Sequence, residues 1–433
     1  MAAPILRESA GWRYFTFLYL YIMQGIPSGF ALTAIANYLL GQQLTPQQVG
    51  SFIAVVGLPW TVQFVWGPLI DKFQHSVIGS RKQWVVLTQL VAFLASLLLL
   101  LVRQPAAQLV LLTTVFFAHS IFASIQDASV DAIAIAVVPP TERGRVNAFM
   151  RGGYLLGVSF GAAGLAYMLH RFGFFAAALT QSALLLLFTV LTLFIKLERT
   201  DRLLPSFRRR RRARFATDND PAVGWLFREL YRGITERRSL VAFGTIALVY
   251  LSIGVFGRAY SFHLIQQLHW PDKDVSILQG SWGSAATMAL IITGGIVSDR
   301  VGATRLQRWV MFGLAGYFLL FSSLVAYWHY KPVATAGLLL WNLADPCFSV
   351  AALPALMALC RLKIEGSQFT TYMALVNFCD VLGAYITGWA LGFTTASLLG
   401  LVCGSVILTL LVLQPYLSRE TPVAEPLASN SRA

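Results

Sequence analysis

Charge is what this chain lacks. Only 12% of its 433 residues are charged and 57% are hydrophobic, against roughly a quarter charged in soluble globular proteins. With a mean hydropathy of +0.65, that composition excludes a soluble enzyme, a disordered chain and a soluble nucleic-acid binder. Acidic residues are scarcer still, 19 against 33 Lys and Arg, for a formal net charge of +14. Cysteine is also sparse. Cys347, Cys360, Cys379 and Cys403 lie in or at the ends of apolar stretches, with no CxxC pair and no nearby histidine cluster. This argues against a disulfide framework or a metal site. There is no nucleophile–base–acid constellation and no phosphate-cradling glycine loop, so neither an enzyme nor a bound cofactor is expected.

Long apolar runs, by contrast, recur along almost the whole sequence. About 20 mostly apolar residues cross the hydrocarbon core. The runs place twelve helices at 14–40, 50–70, 84–102, 108–138, 148–169, 174–195, 240–264, 275–297, 309–327, 332–357, 368–391 and 395–413. The runs are continuous rather than alternating, which rejects a transmembrane β-barrel. Arg7 and Arg13 precede the first run, which continues to about Leu40 without a small-residue cleavage site. It reads as a first span, not a signal peptide.

Basic residues collect in cytoplasmic loops. With a cytoplasmic N-terminus, 28 of the 33 Lys and Arg fall on inside segments, thirteen of them between Lys196 and Arg238, and four fall outside. Both termini are therefore expected in the cytoplasm, in an inner membrane whose anionic leaflet attracts the basic face. The division is 1–195 for a first six-helix bundle, 196–239 for a basic linker, 240–415 for a second bundle and 416–433 for a tail. The linker carries arginine at 208–212 and 214, read as a solvated segment. Trp225, Leu226, Leu230 and Tyr231 beyond it have the spacing of an amphipathic surface helix.

The six-and-six split prompts a search for a repeat. Gly67 and Asp71-Lys72 follow the second span, and Gly295 and Asp299-Arg300 follow the eighth, displaced by 228 positions. Each is followed by a basic turn, with Arg81 and Lys82 in the first and Arg305 in the second. A small residue allows close helix packing, and the acid and bases form a breakable charge network suited to gating. This resembles the loop motif of the major facilitator superfamily, and implies an all-α integral membrane protein of two pseudo-symmetric six-helix bundles.

A narrower resemblance lies in Gln126-Asp127 with Asp131 one turn on, followed by Glu142-Arg143-Gly144-Arg145. These are similar to the muropeptide permeases typified by AmpG and to their relatives that carry acetyl-CoA and siderophores. Gly25-Ile26-Pro27, Pro354 to Cys360, and Gly366 to Phe369 extend the likeness. In that family a Lys and a Gly-Asp pair are expected early in the seventh span. Here Val249 to Val255 carries no charge, and Arg258 lies beyond it.

Ionisable side chains within a span cost roughly 2.5–3.5 kcal/mol each on insertion scales and are functional candidates by default. Asp380 and Asp345 fall near the midplane, where a carboxylate can take and release a proton. Asp380 leads as proton carrier, with helix packing through Asn377 or Asn342 as the alternative. Asp345 precedes Pro346, so a hinge competes with proton binding there. Asp127 and Asp131 share one helix face, and Arg143, Arg145 or Arg151 can approach them. Asp131 reads as part of the gate, whereas Asp127 could also touch solute or proton. Arg258 is placed near the outer interface, either snorkelling or capturing an anion or pairing with Asp380. Gln24, Gln63, Asn342 and Asn377 are candidates for substrate hydrogen bonds, and Trp60 and Trp341 for stacking, each with helix packing as the alternative.

The reading is a secondary transporter working by alternating access, importing a bulky muropeptide-, siderophore- or coenzyme-like solute with protons. Efflux of amphipathic compounds is the alternative, and a membrane sensor is a third. The expected partners are the solute, protons and lipid, with no nucleic acid, and the chain is expected to be a monomer.

Overall fold

A computed structural model describes residues 5–418 except 67–68, 71–72, 74–77, 140–141, 202, 204–222, 283–286, 288, 291–292, 295–296, 298–299, 358 and 361–364. The described residues are helical almost throughout, and ten helices are long and apolar enough to cross a membrane. The first half supplies α1 (Ala10–Gly41), α2 (Pro46–Val65), α3 (Lys82–Leu101), α4 (Leu109–Val137), α5 (Arg143–Ser159, continuing through Phe160–Gly164 to Leu165–Phe172) and α6 (Phe174–Leu193). The second supplies α7 (Arg237–Gln267), α8 (Asp272–Ile277 continuing into Leu278–Trp282, then helical at 293–294 and 300–301), α9 (Ala303–Ser323), α10 (Lys331–Asn342 and Ala344–Met357), α11 (Glu365–Ala390) and α12 (Ala396–Ser418). α8 is interrupted by residues outside the description. α9 opens on Thr304, Arg305, Gln307 and Arg308, which makes it more polar than the ten.

Sequence boundaries shift where capping decides them. Thr45 and Gln48 form a reciprocal capping box, so α2 starts at Pro46. Residues 66 and 69–70 are also helical, as far as the expected end at 70, with 67–68 outside the described residues. α5 starts five residues before the expected 148. Arg151 therefore sits two turns inside α5. The amphipathic surface helix is present as Val223–Thr235 and lies against the start of α11, where Gly233 approaches Gln368. The arginine run at 208–212, the tail from 419, and Gly67, Asp71, Lys72, Gly295 and Asp299 of the repeated motif lie outside the described residues.

Glycine sets the closest contact in the bundle. Gly25 and Gly29 on α1 face Gly153, Gly157 and Gly161 on α5, four residues apart along each helix. A Cβ at Gly25 would overlap the Tyr154 carbonyl, and one at Gly157 would overlap that of Ile22. Small residues at this spacing let backbones touch, which is how helices associate when lipid removes the hydrophobic drive between them.

The chain ends of the first half are tied together. The Leu6 amide donates to the Lys196 carbonyl at 2.9 Å, and Ile5 and Lys196 form an isolated parallel bridge. Leu6, Ile195 and Leu197 are buried there with Val137, Val138 and Val146. Arg199 pairs with Glu8 and holds the Glu8 carboxyl below its ordinary range. Arg13 is 4% exposed. It donates to both oxygens of Glu142 at 2.7 Å and to the Leu6 carbonyl at 2.7 Å.

The two halves meet along α2 and α11, as far as Gly57 against Val381 and Trp60 against Asn377, and through a set of contacts towards one end of the bundle. Gly50 on α2 approaches the Ala384 carbonyl and Gly388 on α11, and Gly388 approaches the Pro46 carbonyl. Gly280 on α8 lies against Ala163 on α5. Asn37 donates to Ser276 and Gln279, each at 2.9 Å. Gln266 donates to the carbonyls of Leu40 and Leu44, and His170 pairs with Asp272 at 2.7 Å. Widened helical turns at Phe30–Ile35, Phe160–Gly164, His263–Gln267 and Leu278–Trp282 cluster near this end.

Candidate functional site

Between the halves lies a cavity of about 460 Å³, within the roughly 300–1,000 Å³ of small-molecule sites. α1, α2 and α5 line it from one side, and α7, α8, α10 and α11 from the other. Much of the wall is apolar, including Leu32, Val49, Ile53, Ile253 and Met373. Into it project Arg151, Arg258, Asp345 and Asp380, with hydroxyls from Tyr154, Tyr250 and Ser349. Asp380 is 53% exposed and Asp345 and Arg151 are also exposed, although all three lie within spans. Their exposure is to the cavity.

Arg258 does not stand apart at an interface. Its guanidinium donates to both oxygens of Asp380, at 2.7 and 2.8 Å, joining α7 to α11. Gly254 lies one turn before Arg258, and a Cβ there would crowd the guanidinium at 2.8 Å. Glycine there leaves the guanidinium room to lie against α7. Of the alternatives left open by the sequence, the structure shows the ion pair.

Asp345 lies in the first turn of the second segment of α10. Pro346 has no N–H, so the Asn342 carbonyl loses its helical donor, and the helix breaks between Asn342 and Ala344. Asp345 thus sits at the break and faces the cavity. Ser349 donates to Asp345 at 3.3 Å and is paired with Tyr250 at 2.9 Å.

Trp341 and Asn377 line the cavity, whereas Gln24, Gln63, Trp60 and Asn342 do not. The Trp341 ring lies on Gly257, where a Cβ would overlap the indole, and its Nε1 donates to the Ile253 carbonyl at 3.1 Å. Asn377 donates to the Trp60 carbonyl and Asn342 to that of Leu278, each at 3.5 Å. Gln63 is buried and donates to Asp127 at 2.6 Å. Gln24 is buried, and its amide nitrogen finds no partner among the described residues.

Of the gate residues, Arg81, Lys82, Asp131, Arg145 and Arg300 have described side chains. Asp131 accepts from Tyr21 at 2.5 Å. Arg145 is exposed, and the side chain of Arg143 is outside the description. Arg81 sits at φ 63° before α3, and Arg300 is exposed. Lys82 leaves the surface altogether: it is 2% exposed and donates to the carbonyls of Leu193 (3.1 Å) and Ile195. It satisfies the unpaired C-terminal carbonyls of α6.

Sequence reading passed over three features. Arg151 was read as a partner for Asp127 and Asp131, and its place in the cavity wall carried no local signal. Asn37 and Gln279, which join the halves, carry no local signal. The four-residue glycine spacing of α1 and α5 was visible and was the signal for that contact.

Comparison with known proteins agrees with this geometry. The chain is 24% identical over 404 residues to the anhydromuropeptide permease of Escherichia coli K12, covering 90% of this chain and 76% of the relative. Among solved structures, the nucleoside transporter NupG superposes with a TM-score of 0.66 at 15% identity, covering 94% of this chain and all of NupG. A POT family transporter in complex with 5-aminolevulinic acid gives 0.70 at 12% identity, covering 96% and 99%. The Major Facilitator Superfamily model matches residues 14–387, and with a cavity between two helical halves the chain belongs to that superfamily of membrane transporters.

Proposed function

We propose that this protein is a proton-coupled importer of a bulky, muropeptide-like solute across the inner membrane. The observation that carries this reading is the Arg258–Asp380 ion pair, set in the wall of a cavity between the halves. With both termini in the cytoplasm, the contacts between Pro46–Gly50 and Ala384–Gly388 seal the outer end. The cavity then belongs to an inward-open state.

An ion pair in the wall of the cavity holds while both charges are present, and protonation of Asp380 removes the attraction. Protonation of Asp380 releases Arg258 and loosens α7 from α11. Loss of the proton restores the pair. Proton occupancy and helix packing thus become one equilibrium, as coupled transport requires. The solute class follows from the similarity to the anhydromuropeptide permease.

The test is uptake of labelled anhydromuropeptide into energised vesicles. Asp380→Asn should abolish accumulation driven by a pH gradient while leaving solute exchange in its absence. Unchanged accumulation in that variant overturns the coupling role, and no uptake by the wild-type protein overturns the substrate class.

A further inference from the structure

Donor-by-donor accounting of the cavity leaves one group over. Asp380 takes Arg258, and Asp345 takes Ser349. Behind the wall, Asp127 takes Gln63 and Asp131 takes Tyr21. Arg151 lines the same cavity and is exposed to it. Among the described residues it makes no hydrogen bond or ion pair. It acts electrostatically on Asp127, Asp131 and Asp345, which holds the charge in the membrane without using its donors. A guanidinium presents five N–H groups in a planar fork that matches a carboxylate bidentately.

We propose that Arg151 is the substrate-anchoring residue, and that it receives a single carboxylate of the solute. This rests on the transport reading above and specifies its ligand chemistry. Tyr154 lies one turn from Arg151 and also lines the cavity, so the body of the solute lies along the part that Tyr154 and Trp341 wall. Of the two cavity guanidiniums Arg258 is already matched by Asp380, so a dianionic phosphate placed at the Arg151 fork would bring a second charge that no free guanidinium matches.

N-acetylmuramic acid and N-acetylglucosamine share a ring and differ by a lactyl carboxylate, and N-acetylglucosamine 6-phosphate supplies the dianion. Binding of each to the full chain in lipid nanodiscs is measured by thermal shift and titration calorimetry, for wild type, Arg151→Gln and Arg151→Lys. The acid should bind the wild type more tightly than the neutral sugar. Arg151→Gln should reduce that advantage about tenfold or more, the scale of one charge-assisted contact. Arg151→Lys should keep part of it, because the charge remains without the fork, and it serves as the reporter if the Gln variant is not monodisperse. An acid that binds the wild type no better than the neutral sugar overturns the proposal, as does an advantage left intact in Arg151→Gln. Tighter binding of the phosphate than of the acid overturns the carboxylate assignment. Failure of the transport reading looks different: carboxylate preference persists while vesicle uptake is absent.

Discussion

A buried arginine must be matched donor for donor, and Arg13 is, with three hydrogen bonds to Glu142 and two to the carbonyls of Leu6 and Arg7. Removing one partner leaves an uncompensated charge out of water, at a cost of about 3–5 kcal/mol. Glu142→Leu is therefore expected to lower the thermal midpoint by several degrees. The double variant Arg13→Met with Glu142→Leu should recover part of it, and a double variant no better than Glu142→Leu alone would count against the pair. In the sequence Arg13 reads as a tail charge and Glu142 as part of a Glu-Arg-Gly turn. Nothing local joins residues 129 apart. Arg258 and Asp380 were legible as individual candidates because a charge in an apolar run is visible by itself. Their union, across 122 positions, was one option among several.

At the scale of the element, the α1–α5 contact has no room for a side chain. Gly157→Val should disrupt the first half outright, measured as loss of monodisperse protein or a large fall in thermal midpoint, because the added carbons meet backbone that cannot yield. Gly316→Ala on α9 is the matched control. Nothing lies within 4 Å of a Cβ there, so it should be neutral or stabilise by about 0.5–1 kcal/mol. Equal effects of the two would refute close packing as the reason for glycine. The break in α10 yields another expectation. Pro346→Ala restores the missing donor and should raise the thermal midpoint while slowing transport, since a continuous helix loses the point at which it bends. Turnover at the wild-type rate would remove the hinge role. This break was readable from Asp345-Pro346 because proline acts on its own backbone, whereas the burial of Lys82 depended on where α6 ends.

For the whole molecule, the contacts at 37–50, 170, 266–280 and 384–388 hold the halves together towards one end, and alternating access requires them to part. A short thiol cross-linker joining His170→Cys and Asp272→Cys should stop turnover. Cleavage of the linker should restore it, and neither single-cysteine variant should respond. Transport that continues in the linked protein would show that this end stays closed throughout the cycle.

The sequence by itself determined that the chain crosses the membrane many times, where most spans lie, and to which superfamily it belongs. Hydropathy is a sum over neighbours along the chain, and a motif is a string. Tertiary structure alone decided that Arg258 belongs to Asp380, that Gln63 serves Asp127 rather than the cavity, that Lys82 caps α6, and that Arg151 faces the cavity with its donors unused. Those facts depend on which helix faces lie within about 3 Å of one another, and that distance is set by packing between segments that the chain order keeps far apart.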